Sequence, residues 1–325
     1  MTAPSAPLVS VIVPNYNHAA FLRQRLDSIL AQTVAGIELI LLDDASTDDS
    51  VAILRTYAAD PRVAHLVVNE HNSGSAFKQW RTGLSLARGQ WIWIAESDDS
   101  CLPDLLERLL ALNAREQDTL GLVYAQSAII DEAGQHIGSM REHTACFTPD
   151  PFTQDIVEEG RAFIARYLKV KNVIPNASAV LFRRSLIADA HVWTGTEDMK
   201  LGGDWLLWVR LLRQTRIGFV SAELNQFRDH AGVTRKHTTT ERKQQRILEE
   251  AIVRSALGQY PEVDQRGEEQ VLYEAWFPYF TFKELFSSRL FRVRIKGRSR
   301  LSFLLRFLSF KWARFKERME RGAQA

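Results

Sequence analysis

The amino-acid sequence predicts an α/β protein built on a mostly parallel, twisted sheet and followed by a basic helical extension. Short apolar, β-branched segments alternate with amphipathic helical segments through the first third of the chain, which is typical of parallel strands joined by right-handed crossovers. Acidic residues follow directly after two of these apolar segments, and positive charge is concentrated near the C-terminus. The chain has 325 residues, of which 46% are hydrophobic and 25% charged, and this globular composition excludes a disordered or low-complexity protein.

The first 115 residues carry the clearest alternation of elements. Apolar runs of strand length predict buried strands, and apolar residues at a 3.6-residue period predict the helices between them. The predicted strands cover residues 8–13, 37–42, 64–68 and 91–95, and the predicted helices lie around residues 22–30, 48–58, 76–87 and 103–115.

The rest of the chain is less regular. Residues 177–182 predict a strand, residues 205–214 a helix, and residues 216–220 and 224–228 two short strands. Beyond about residue 240 the pattern is helical and increasingly basic.

Two acidic clusters follow predicted strands. Asp43 and Asp44 come after the second strand, and Glu96, Asp98 and Asp99 come after the fourth. Since the carboxyl ends of parallel strands meet at one edge of a sheet, both clusters are expected at the same ligand crevice. Carboxylates of this kind bind a divalent cation that bridges a diphosphate, or else cap helix N-termini.

The composition also limits the cellular setting. Two cysteines, Cys101 and Cys146, cannot form a disulfide framework or a four-thiolate zinc site. The first residues lack the basic and apolar regions of a secretory signal, and no apolar run approaches a bilayer-spanning length. We therefore expect a cytoplasmic protein.

Four motifs occur in order in the first 115 residues, and residues 176–230 add a looser match. The motifs are VSVIVPNYNHAAFLRQRLDSILAQT, ELILLDDASTDDS, NSG and GLSLARGQWIWIAESDDSCLPDLLE. In this order and spacing they resemble the family 2 glycosyltransferases of the GT-A fold. The resemblance implies a three-layer α/β/α sandwich and an enzyme that takes its sugar from a nucleotide-sugar, with UDP-sugar as the expected donor. It implies that Pro14, Tyr16 and Asn17 after the first strand, together with Asp43 and Asp44, hold the base and ribose.

The family's metal motif, Asp-x-Asp, corresponds here to Glu96-Ser97-Asp98. The resemblance implies Asp98 as the direct ligand of Mg²⁺ or Mn²⁺, with Asp99 beside it, and places Glu96 and Ser97 towards ribose or a metal-bound water. Lys78 stands where the family commonly has an arginine for the diphosphate, although a solvated helix lysine is the alternative.

Later motifs supply the expected chemistry. The family's Glu-Asp motif is half kept as Gly203-Asp204, which implies Asp204 as the catalytic base, although Asp is also a preferred N-cap. His230 is implied as a metal or diphosphate ligand and Arg228 as a phosphate partner. Asn176 and Trp205 are expected to border the acceptor pocket.

The segment from Arg289 to Arg321 has a net charge of +10, which leaves −8 for the rest of the chain. Its large apolar side chains fall on one face of a predicted helix, with basic residues beside it. Such a helix suits an anionic membrane surface on the inner face of the cytoplasmic membrane; packing on the catalytic domain is the alternative, and no nucleic acid partner is expected. The apolar residues are Leu301, Leu304, Leu305, Leu308, Trp312 and Phe315.

Together these features predict an inverting glycosyltransferase that acts on a hydroxyl of a glycan or a lipid-linked acceptor in cell-surface polysaccharide assembly. Its expected domain covers residues 1–240, with a nucleotide-sugar half at 1–115 and an acceptor half at 116–240, before an extension at 241–325. A sugar nucleotidyltransferase is disfavoured because no glycine-rich phosphate loop follows the first strand, and a dehydrogenase because no G-x-G-x-x-G follows any strand. A non-catalytic nucleotide-sugar-binding protein stays open as an alternative.

Overall fold

A computed structural model of the protein describes residues 6–230 and 239–322. The chain divides into two compact units. Described residues 6–164 and 172–230 form the first unit, and residues 165–171 and 239–322 form the second.

The first unit is built around a mixed ten-stranded sheet. The strands are β1 (Val9–Asn15), β2 (Ile37–Asp43), β3 (Val63–Val68), β4 (Trp91–Ile94), β5 (Ser100–Cys101), β6 (Leu120–Ile130), β7 (His136–Ser139), β8 (Ile156–Glu159), β9 (Val180–Arg183) and β10 (Arg216–Arg228). Their main order in the sheet is β3-β2-β1-β4-β9-β6-β10-β5, with β7 paired to β6 and β8 paired to β10.

The first four strands are parallel, as the alternating pattern predicts. β1 lies between β2 and β4, and Val9 is aligned with Ile37 on one side and with Trp91 on the other. β1 and β2 are fully buried, which explains why both are near-continuous apolar runs.

The strands from the second half add mainly antiparallel pairs. β9 runs antiparallel to both β4 and β6, whereas β6 and β10 are parallel. The two short strands predicted at 216–220 and 224–228 form one strand, β10, whose register shifts between Val220 and Asn225. β6, an eleven-residue strand, was not among the predicted elements.

Helices cover both faces of this sheet. The helices of the first unit are α1 (Ala19–Leu30), α2 (Ser50–Tyr57), α3 (Ala76–Leu86), α4 (Leu105–Arg115), α5 (Arg141–Thr144), α6 (Gly160–Phe163) and α7 (Gly203–Leu212). Val9, Val11 and Val13 share an apolar core with α1, α2 and α4, whereas Ile12, on the opposite face, faces α3. Gly83 of α3 permits this close approach, because a Cβ there would lie 2.3 Å from Ile12.

The second unit is helical and has its own aromatic core. It contains α8 (Thr240–Leu257), α9 (Arg266–Trp276) and α10 (Arg300–Gly322). Tyr273, Phe277 and Phe303 contact one another through edge-on and stacked rings. Within the described ranges, no helix combines the length and apolar character needed to cross a bilayer.

Candidate active site

Three loops at the carboxyl ends of strands bring together a candidate group of metal ligands. His18 follows β1, Asp98 follows β4 and His230 follows β10. One ligand atom from each residue lies within 4.8 Å of the others, and His230 Nε2 lies 3.0 Å from Asp98 Oδ2. Two imidazoles and a carboxylate can therefore converge on one cation.

His18 is held in place by its neighbours. Its Nδ1 lies 2.8 Å from Ser97 Oγ, and its ring packs edge-on against the His230 ring with centroids 5.6 Å apart. Burial lowers the pKa of His18, and the neighbouring Asp98 only partly opposes this effect. The ring thus favours the neutral form that metal ligation requires.

Asp98 is ionised more readily than an isolated aspartate. Burial alone would raise its pKa, but the hydrogen bond with His230 and the nearby His18 outweigh burial and lower it. The sequence prediction of Asp98 as the leading ligand is consistent with this geometry.

Asp99, expected beside Asp98 as a metal ligand, is not part of this group. Its Oδ1 accepts a hydrogen bond from the backbone N–H of Arg228 at 2.9 Å. Burial and the negative charge of Asp98 raise the pKa of Asp99 to about 6. Adjacent residues direct their side chains differently, and Asp99 is the one turned towards the protein interior.

Arg228, predicted as a phosphate partner, contacts the protein instead. Its buried guanidinium donates to the backbone carbonyls of Asp98, Asp131 and Glu132, and to Gln24 Oε1. We therefore assign Arg228 to holding the Asp98 loop in place rather than to binding phosphate.

Glu96 lies near three other acidic side chains of the site. Burial and the negative charges of Asp98, Asp99 and Asp204 raise the pKa of Glu96 to about 8. Its backbone N–H donates to Ser178 Oγ at 3.1 Å. The electrostatic influence of Asp204 shows that the start of α7 lies near the end of β4.

Asp204, the predicted catalytic base, lies in the first turn of α7. Its Oδ2 accepts a hydrogen bond from Asn172 Nδ2 at 2.8 Å, and its Oδ1 accepts one from the backbone N–H of Trp205. The carboxylate is thus oriented by two donors while remaining part of the acidic group around Glu96.

A steric contact explains why a glycine, Gly203, precedes Asp204. A Cβ at Gly203 would lie 2.7 Å from Cε2 of the Phe77 ring, which is buried on α3. The family's acidic residue therefore cannot be accommodated here unless Phe77 moves.

The two aspartates after β2 are both buried and hydrogen-bonded. Asp43 accepts from Asn15 Nδ2 and from the backbone N–H of Ser46, each at 2.8 Å. Asp44 binds the following loop and α3 through four donors. These are Asn69 Nδ2, Ser73 N, Ser73 Oγ and Gln79 Nε2.

The residues at the end of β1 and after it lie beside the loop that follows β2. Pro14 is buried in β1, whereas the Tyr16 side chain is 45% exposed and available to stack on a ligand. Asn17 has a φ of 57°, a conformation that Asn tolerates well, and its Oδ1 accepts from the backbone N–H of Thr47.

The remaining predicted residues differ in exposure. Lys78 is exposed on α3, and its Nζ donates to the Ser73 carbonyl at 3.1 Å. Trp205 is buried in the first turn of α7. Asn176 is also buried, and its side chain accepts from the backbone N–H of Ser178.

Four residues that the sequence interpretation gave no role contribute to the site. His18 lies within a quoted motif and Gln79 follows Lys78, so their polar side chains beside Asn17 and Lys78 were the available signal. Asn172, which orients Asp204, gave no such signal. Arg25 is buried over the Trp93 ring at 4.9 Å, and its positive charge lowers the pKa of Asp99 against the effect of burial.

Comparison with solved structures identifies the fold. The chain resembles the crystal structure of S. aureus TarS 1–349, with a TM-score of 0.57 and 19% identity, over 85% of this chain and 72% of that one. A TarS 1–349 structure in complex with UDP-GlcNAc gives a TM-score of 0.58 at 18% identity, over 86% of this chain and 76% of that one. The fold is therefore that of a GT-A glycosyltransferase, as predicted.

Sequence comparison identifies the family. The model of Glycosyl transferase family 2 matches residues 10–188, more than half of the chain, so the protein belongs to this family. It is 36% identical to a chondroitin synthase of Escherichia coli over 140 residues, which are 42% of this chain and 20% of that protein. It is 40% identical to glycosyltransferase GlyG of Streptococcus pneumoniae over 103 residues, which are 31% of this chain and 34% of that protein. The matched region thus spans between a fifth and a third of these relatives.

Proposed function

We propose that the protein is an inverting glycosyltransferase that moves a sugar from UDP-sugar to a hydroxyl group of a glycan or lipid-linked acceptor. The observation that carries the proposal is the convergence of Asp204 with the acidic group after β4, beside His18 and His230. Such a site offers a base for the acceptor and side chains that would hold a cation beside the donor diphosphate. The TarS structures with UDP-GlcNAc and UDP support the choice of a uridine nucleotide.

The donor set fits Mn²⁺ better than Mg²⁺. His18 and His230 offer imidazole nitrogens, whereas Mg²⁺ prefers oxygen ligands and keeps several waters. His18, Asp98 and His230 are therefore the residues that would hold Mn²⁺. A bound cation at this position would neutralise negative charge on the departing diphosphate.

The protein's own groups account for the other steps. Tyr16 provides an exposed ring beside the ends of β1 and β2, where the uracil base is expected. Asn172 orients the Asp204 carboxylate, which takes the proton from the acceptor hydroxyl. The acceptor oxygen then attacks the anomeric carbon from the face opposite the nucleotide, so the C–O bond to the diphosphate breaks and the configuration is inverted.

Substituting Asp204→Asn tests the assignment of the base. The amide keeps the size of the side chain but cannot accept the proton, so turnover should fall by about 10²- to 10⁴-fold. UDP affinity, measured by calorimetry with Mn²⁺, should stay within about twofold. Asp189→Asn is the matched control, because Asp189 caps a short helix elsewhere in the same unit. Full turnover by the Asp204 variant would rule out this base.

A further inference from the structure

The C-terminal helix α10 exposes a continuous row of large apolar side chains. We call this row the α10 stripe. The spacing is 4-3-4-3-4, so at 3.6 residues per turn all six side chains start within about 80° of the helix circumference. The stripe consists of Leu301 (66% exposed), Leu305 (57%), Leu308 (38%), Trp312 (58%), Phe315 (51%) and Met319 (60%).

The stripe is not the face by which α10 packs on its own unit. Phe303 and Phe307 are buried, and their rings contact Phe277 at centroid distances of 5.3 and 5.2 Å. These residues lie on another side of the helix, so the second unit already has its core contact with α10. Leu304, predicted on the same face, packs instead against the core of the second unit, and packing of the other side chains on the catalytic domain stays a prediction.

Basic side chains lie on both sides of the stripe. Lys311 lies on one flank and Lys316 on the other, and the Lys316 ammonium lies 5.8 Å from the centre of the Trp312 ring. The acidic residues Glu317 and Glu320 lie further round the helix, and Glu317 is 3.4 Å from Arg314. The stripe is therefore bordered by positive charge.

This charge pattern distinguishes between the binding partners that could cover the stripe. The 4-3 spacing also suits a coiled-coil seam with a second copy of the chain. In a parallel pair, however, the positions flanking the seam would bring Lys311 of one copy towards Lys316 of the other, and like charges there are destabilising. An anionic surface would instead be attracted by both flanks.

We infer that the α10 stripe docks on an anionic lipid surface, with α10 lying in the plane of the interface. Leu, Trp and Phe side chains enter the boundary between headgroups and acyl chains, while the basic flanks contact lipid phosphates. The stripe is about 27 Å long, which provides several turns of contact. This inference rests on the second unit alone and is independent of the proposed glycosyl transfer.

The test is co-sedimentation of the full chain with phosphatidylcholine vesicles, with and without phosphatidylglycerol. The wild type should bind the vesicles that contain phosphatidylglycerol and should dissociate as salt rises. The double variant Trp312→Ser/Phe315→Ser should bind at least about tenfold less tightly, because two large apolar side chains are lost. Both side chains are exposed, so the fold should persist.

The matched control is Ile252→Ser/Val271→Ser, which removes two exposed apolar side chains of the same unit outside the stripe. It should bind as the wild type does. Equal binding by wild type and stripe variant, or equal binding to both kinds of vesicle, would overturn the inference. So would stripe-dependent dimerisation in sedimentation velocity, or stripe-dependent binding of a DNA duplex, without vesicle binding.

Discussion

Gly203 offers a quantitative test of how the site is packed. The family motif has an acid at this position, which suggests that restoring a side chain there improves catalysis. The structure predicts the opposite result, because a Cβ at Gly203 would lie 2.7–2.8 Å from three atoms of the Phe77 ring. Contacts of this kind normally exceed 3.4 Å.

The Phe77 ring has little freedom to move. It is 5% exposed and packs edge-on against Trp80 at 4.9 Å, and Trp80 in turn lies near Trp208 of α7. Gly203→Ala should therefore cost about 1–3 kcal/mol through overpacking, partly offset by the higher helix propensity of alanine. A net loss of about 1–2 kcal/mol corresponds to a melting temperature about 2–8 °C lower for a unit of this size.

A double-mutant cycle separates this clash from other effects. Phe77→Leu shortens the side chain, so Gly203→Ala should cost less in that background than in the wild type. Thermal and urea unfolding give the stabilities, and donor hydrolysis reports whether Asp204 is displaced. If Gly203→Ala is as stable as the wild type, or if the two substitutions are additive, the steric explanation for the missing acid is wrong.

Three further substitutions test separate contacts. Burial raises the pKa of Glu38, but hydrogen bonds from Ser10 and Arg88 outweigh burial and hold this pKa below its ordinary value. In urea unfolding, the wild type should therefore be more stable than Glu38→Gln above about pH 4.5, and this advantage should disappear as the pH falls. A stability difference that does not change with pH would contradict this prediction. Asp44→Asn should lower the free energy of unfolding by about 2–3 kcal/mol, because one of two buried acceptor oxygens is replaced by a donor, and a loss below about 0.5 kcal/mol would refute it. His18→Ala should weaken Mn²⁺ binding at least about tenfold, as measured by the loss of free-Mn²⁺ resonance signal, whereas the exposed His191→Ala should leave it unchanged.

The elements that follow a simple period were predictable. β1, β2 and β4 are short apolar runs because both of their faces are covered by helices, and the helices between them show one apolar side. β6 is also almost entirely buried, but its polar residues Gln126 and Ser127 interrupt the apolar run. Both are buried beside other polar groups, an environment that a single strand's pattern does not reveal.

Within the site, strand ends were predictable but side-chain directions were not. The prediction that Asp98 lies at the sheet edge needs only strand polarity. Whether Asp99 or His18 joins it depends on how each loop turns after its strand, and on Arg228, which fixes the Asp98 loop from β10. Such pairings link distant parts of the chain, so no local spacing encodes them.

The order of the strands along the chain has a consequence for biosynthesis. His18 and Asp98 follow strands that a ribosome releases early, whereas His230 follows the last strand of the first unit. A nascent chain can assemble its β1–β4 region and bury much of its apolar surface while this set of three donors is still incomplete. Under the proposed metal assignment, tight binding of a cation by all three side chains would await translation of β10 and its pairing with β6, so metal affinity would report late on correct folding.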